Sequence, residues 1–217
     1  MKSRSYEDPC GVARALDRIG ERWALLVVRE LLLGPKRFAD LVAGLAEISP
    51  NVLSQRLDEL VASKVVAQRQ LPPPSRTWVY ELTPWGHELE AVLLAIARWG
   101  SRAQPLPRGE LSIDALLLAL RTTLDLERTR GKPFDLELRI AGEHYRVRLA
   151  GSTLHVSRGS VEDPDASLTT DATTLRKLVF GDLTLAVARR RTLIEIEGDA
   201  RAAARFLGAF RRPTEKL

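Results

Sequence analysis

The chain has 217 residues, 45% of them hydrophobic and 28% charged, a length that fits one or two compact domains and a composition that excludes a disordered or fibrous chain. Its 33 Lys and Arg against 28 Asp and Glu give a formal net charge of +5, which suits a polyanionic partner without specifying one. The single cysteine, Cys10, excludes an intramolecular disulfide, and there is neither an apolar leader over residues 1–8 nor an apolar run near the ~20 residues that cross a bilayer, so the chain reads as cytoplasmic, with no membrane partner.

Val12, Ala15, Leu16 and Ile19 recur at helical spacing, and the run from Trp23 to Leu32 is apolar almost all round, which predicts two helices, the second deeply buried. Gly34-Pro35 ends the second. A short amphipathic helix is expected over Arg37 to Leu45, then a turn through Glu47 and Ile48. At Ser49-Pro50 a capping hydroxyl and a proline at the first helical position mark the clearest helix start in the chain. That helix should run to about Lys64. Leu53, Leu57 and Leu60 share its inner face, which sets Asn51, Gln55 and Asp58 opposite, with Ser54 and Arg56 at the margins. The β-rich runs Val65 to Gln70 and Thr77 to Leu82 flank a proline-rich loop ending at Arg76 and predict a hairpin wing. Thr83-Pro84 opens a last helix, on which Leu89, Val92, Leu93, Ile96 and Trp99 form an apolar stripe.

Helix, turn, capped helix and hairpin, in this order, make a winged helix-turn-helix. In a major groove Asn and Gln pair bidentately with adenine and Arg with guanine, which assigns base reading to Asn51, Gln55 and Arg56, with Ser49 and Ser54 beside them. Lys36 and Arg37, at the turn before the first helix of the motif, would meet phosphates and fix register. Arg76 at the wing tip would enter a narrowed minor groove.

Pro105 and Pro107 stop any helix and place a linker over 101–109, between a DNA-binding and dimerisation domain over 1–100 and a second domain over 110–217. The second domain opens with a helix carrying Ile113, Leu116, Leu117, Leu120 and Leu124. Strand alternation follows at Phe134, Leu136, Leu138 and Ile140, at Tyr145, Val147 and Leu149, and at Leu154 and Val156. Beyond Ala166 to Asp171 come helices from Ala172 and Leu183, a strand at Leu193 to Ile196 and a last helix with Phe206 and Phe210. The whole is an α+β chain whose second half is a mixed sheet with helices on one face.

The three histidines, His87, His144 and His155, stand in no metal pattern, and there is no GxSxG elbow, P-loop or dinucleotide fingerprint. No enzyme, metal or cofactor is expected.

Two resemblances add to this reading. The segments Cys10 to Asp17, Gly20 to Leu26, Arg29-Glu30-Leu31, Gly34 to Phe38, Ile48 to Leu57 and Tyr80 to Gly86 resemble the HxlR family of bacterial regulators. That resemblance implies a homodimer on palindromic operators, with the first and last helices of the domain at the dimer interface. It also offers Cys10 as a redox sensor, as in some relatives, while the residue type itself favours a small buried apolar role. Residues 110–212, with Pro164 to Asp171 before a helix and Ile196 to Asp199 before the last one, are similar to the sterol carrier protein-type fold. A hydrophobic small-molecule effector is then implied, with Leu117, Leu138, Val147, Leu178 and Phe206 as candidate contacts that equally serve a filled core. The competing expectation is a lipid-carrier or interaction protein whose winged helix serves mainly in dimerisation.

Overall fold

A computed structural model of the chain describes residues 5–103 and 109–211. It divides into two compact units, Met1–Leu93 and Leu94–Leu217. Most of the expected linker, residues 104–108 with both of its prolines, lies outside the described residues.

The first unit builds on α1 (Gly11–Ile19), α2 (Ala24–Leu31), α3 (Phe38–Gly44) and α4 (Pro50–Ala62), then the antiparallel hairpin of β1 (Val66–Gln70) and β2 (Trp78–Leu82), α5 (Pro84–His87) and the start of α6 (Leu89–Gly100), within which the division falls. Its core is one cluster in which Val27, Val28 and Leu31 of α2 meet Leu41, Leu53, Leu57 and Leu60, closed by Val65, Val66 and Leu82 at the base of the hairpin. Ser49 Oγ accepts from the amide of Val52 and Thr83 Oγ1 from that of Gly86, so both Ser/Thr-Pro helix starts are capped as their sequence required.

Two apolar stripes, on the first and last helices of the domain, are left largely exposed. On α1 only Ala13 and Ile19 are buried, while Val12 is 68% and Leu16 42% exposed. On α6 only Leu93 is buried, and Val92, Ile96 and Trp99 are exposed, Trp99 by 72%. Leu93 is also the last residue of the first core.

The second unit contains α7 (Ile113–Thr123), α8 (Leu126–Thr129), β3 (Phe134–Ile140), β4 (Glu143–Ala150), β5 (Thr153–Arg158), β6 (Ala166–Thr170), α9 (Ala172–Phe180), α10 (Leu185–Arg190), β7 (Ile194–Gly198) and α11 (Ala200–Gly208). The strands order as β5-β4-β3-β6-β7, with β3 and β6 parallel and the other neighbours antiparallel, a mixed sheet. Helix α11 packs on β3 and β6, and α7 on β5. Phe206 stands edge-on to Phe134, centroids 5.7 Å apart, and to Phe210 at 5.3 Å, filling the layer between sheet and helices. Strand alternation sends Leu136, Leu138 and Val147 into that layer and Glu137, Arg139, Arg146 and Arg148 to the opposite face.

Candidate nucleic-acid interface

Helix α4 turns its leucines inward, and Asn51, Ser54, Gln55 and Asp58 are left exposed. Ser49, its cap, is exposed too. Gln55 Nε2 donates to Glu59 Oε1 at 3.0 Å along the helix, a contact light enough to exchange for a base edge.

Arg56 does not join them. It is 7% exposed, its guanidinium bonded to the Glu59 carboxylate and 3.9 Å from that of Glu21. The reason lies in the spacing: position 56 is three residues after Leu53 and four before Leu60, so it falls on the buried stripe rather than at the margin. Of the residues expected to face a groove, Asn51, Ser54 and Gln55 are exposed, whereas Arg56 is paired within the fold.

Lys36 is corrected in the same way. At 9% exposure its Nζ lies 2.7 Å from Oε2 of Glu30, which is fully buried and also receives Arg29 at 2.8 Å. Gly44 is the glycine this arrangement requires, because a Cβ there would collide with Glu30 Oε2. The Lys36 backbone pairs both ways with Tyr80, amide to carbonyl at 2.9 and 2.8 Å, adding a short third rung beside the hairpin. Lys36 thus ties α2 to the wing, and of the expected phosphate pair only Arg37 is exposed.

Glu30 is a buried charge that the sequence pattern did not single out. Its signal was the one carboxylate of a helix that is apolar apart from the neighbouring Arg29, which is sustainable in a core only if paired.

Arg76 is exposed at the wing tip with φ of 44°, and its carbonyl accepts from Gln70 Nε2 at 2.8 Å. Tyr80 OH accepts from Gln68 Nε2 at 3.3 Å. Burial first, and then the negative charge of Asp58, push the Tyr80 phenol above its usual range.

Cys10 is exposed at the N-terminal boundary of α1, contrary to the buried apolar role. Hydrogen bonds from the amides of Val12 and Ala13 lower its thiol pKa.

In the second unit Leu117, Leu138, Val147 and Phe206 are completely buried and Leu178 half-buried, so the structure brings the candidate ligand contacts together as core. The opposite sheet face holds a different arrangement. Glu137, 3% exposed, accepts from Arg139 Nε at 2.7 Å, Ser167 Oγ at 3.2 Å and the Val161 amide at 3.3 Å, and pairs with His144 Nδ1 at 3.0 Å. Burial alone would raise its pKa, but these bonds outweigh burial and lower it to about 2. Among the described residues no group of three or more His, Cys, Asp or Glu is placed to hold a metal ion, and no helix is long and apolar enough to cross a membrane.

Residues 18–106 match the HxlR-like helix-turn-helix family, and residues 104–216 match the alkyl sulfatase C-terminal family. An HTH-type transcriptional regulator of Mycobacterium tuberculosis is 36% identical over 98 residues, 45% of this chain and 61% of its own length. The HTH-type transcriptional regulator YodB of Bacillus subtilis is 33% identical over 88 residues, 41% of this chain and 79% of YodB. The solved reduced form of YodB covers 43% of this chain and 92% of its own at a TM-score of 0.39 and 32% identity. The sec-alkylsulfatase Pisa1 from Pseudomonas sp. covers 50% of this chain and 19% of its own, at 18% identity and a TM-score of 0.45. The chain thus spans less than two thirds of the mycobacterial relative and about a fifth of Pisa1.

Proposed function

The chain belongs to the HxlR-like helix-turn-helix family by its first half and to the alkyl sulfatase C-terminal family by its second, and on that premise we propose that it is a cytoplasmic transcriptional regulator that grips a palindromic operator as a homodimer. The observation that carries the reading is the face of α4. A capped helix, anchored from within by Arg56 and the leucines, offers Asn51, Ser54 and Gln55, neutral side chains suited to base edges, with Arg37 and Arg76 for the backbone. Dimerisation is supported by the exposed Val12 and Leu16 on α1 and by Val92, Ile96 and Trp99 on α6, apolar groups that a second copy would take out of water.

Fluorescence anisotropy with duplex DNA from upstream of the chain's own coding sequence tests the proposal. Affinity should fall steeply with salt and drop on Asn51→Ala and Gln55→Ala. Equal retention of unrelated duplexes would favour the carrier reading. Trp99→Glu should turn the dimer into monomer in sedimentation equilibrium, and an unchanged mass would remove that interface.

For the second domain we favour a role in sensing an apolar ligand, supported by the likeness to the sterol carrier protein-type fold read from sequence and by kinship with a domain found in alkyl sulfatases. An effector acts only through unequal affinity for two states. A long-chain alkyl sulfate that left operator affinity unchanged in the same titration would count against it, and release of sulfate from that compound would overturn the non-enzymatic reading.

A second reading rests on Cys10: an exposed thiol, lowered in pKa at the start of a helix bearing the exposed Val12 and Leu16, is placed to couple oxidation to dimer geometry. Mild peroxide should then release DNA from the natural chain and not from Cys10→Ser; equal behaviour of the two would dismiss it.

A further inference from the structure

The excess of positive charge does not lie in the half that matches the helix-turn-helix family. Residues 1–93 hold 12 Lys and Arg against 12 Asp and Glu, and residues 94–217 hold 21 against 16, so the whole net charge of +5 belongs to the second unit. Part of that unit's positive charge is answered within the fold: Arg139, Arg146, Arg158 and Arg176 each engage a carboxylate.

Arg189, Arg190 and Arg191 are different. They follow one another at the end of α10, all three are exposed, and among the described residues no ion pair joins any of them to a carboxylate. Of the four carboxylates over residues 182–199, Glu197 is taken by Arg139 and Asp199 by Arg205. Glu195 alternates with Ile194 and Ile196, and Asp182 precedes the opposite end of α10. The turn that carries the arginines is well defined. The Leu193 amide donates to the Ala188 carbonyl at 2.9 Å and the Thr192 amide to that of Arg189 at 3.1 Å, with Thr192 in the left-handed region at φ of 55°.

Two ordinary reasons for such a run fall short. A helix C-terminus carries only about half a negative charge, and α10 is short, so its dipole favours one cation rather than three. Adjacent like charges also repel, a cost that an anion lying over them would remove.

We propose that Arg189, Arg190 and Arg191 form a second nucleic-acid contact, a cradle for the phosphates of duplex DNA that is distinct from the base-reading face of α4 and blind to sequence. The inference goes beyond the operator reading and takes from it only the identity of the polyanion. Guanidinium forks bind phosphate oxygens through paired hydrogen bonds, and each phosphate neutralised releases condensed counterions. Such a contact adds affinity for any duplex and carries no sequence information. It supplies the long-range attraction that a neutral first unit lacks, while α4 supplies the choice of site.

The test compares the natural full chain with two triple variants, Arg189→Gln with Arg190→Gln and Arg191→Gln, and the same three positions changed to Lys. Anisotropy is measured across salt concentrations on a duplex from upstream of the chain's own coding sequence and on one of scrambled sequence. The Gln variant should lose about tenfold or more on both duplexes and flatten the slope of log K against log salt by about two to three, leaving the ratio between the duplexes unchanged. The Lys variant should keep the natural slope, and both should unfold at the natural denaturant midpoint, since exposed side chains hold nothing in the fold. A natural slope in the Gln variant would overturn the proposal. So would a loss confined to the upstream duplex, or a loss confined to phosphatidylglycerol vesicles with DNA binding intact, which would give the surface to a membrane. If the natural chain holds the two duplexes equally, the operator reading fails, while this inference still stands or falls on the slope.

Discussion

The two units treat their charged side chains in opposite ways. In the first, Lys36 and Arg56 are drawn inward to Glu30 and Glu59, and the outer face of α4 keeps neutral groups such as Asn51 and Ser54. In the second, the outer face of the sheet is dense with charge, but Arg139 is paired with Glu137 and Glu197, and Arg146 with Asp135. A face whose charges already answer one another has less to gain from a partner than one whose hydrogen-bonding groups are left to water. Surface charge alone would point to the sheet; accounting for partners points to α4 and the wing.

The comparison breaks most sharply at Glu30. Glu30→Ala leaves Lys36 charged in the interior and should cost about 3–5 kcal/mol in denaturant unfolding, whereas Glu30→Leu with Lys36→Met should recover much of it. A loss below about 1 kcal/mol would mean that Lys36 finds water. Glu137 is the corresponding group of the second unit, and pH separates the two. Its folded pKa lies below the ordinary carboxylate range, so its contribution, about 3 kcal/mol, should be complete above that range and fade as pH falls through about 2. Unfolding of the natural chain and Glu137→Gln across pH should differ at pH 7 and converge in strong acid.

Asn51→Ala sharpens the contrast from the functional side. It should reduce operator affinity by about 1–3 kcal/mol in anisotropy titrations while leaving unfolding within about 0.5 kcal/mol, since nothing in the fold depends on an exposed amide. Smallest of all, Arg146→Ala should leave the denaturant midpoint nearly unchanged in the same unfolding assay, because its pair with Asp135 is open to solvent. A larger cost would show that the sheet's charges act as a network.

Local chemistry written into the sequence determined the elements and their order. The Ser49-Pro50 and Thr83-Pro84 caps, the leucine stripe of α4, the hairpin and the alternation of β3 and β4 all rest on interactions within a few residues, so spacing suffices to read them. Asn51, Ser54 and Gln55 were legible for the same reason. Partner choice across the fold was not. Whether Lys36 meets a phosphate or Glu30, whether Arg56 points out or lies against Glu59, and whether Val12, Leu16 and Trp99 are buried or left bare depends on which elements pack together. Only the tertiary structure decides that, because a charge is drawn inside when a distant residue is there to pair it, and an apolar stripe is buried only when something covers it.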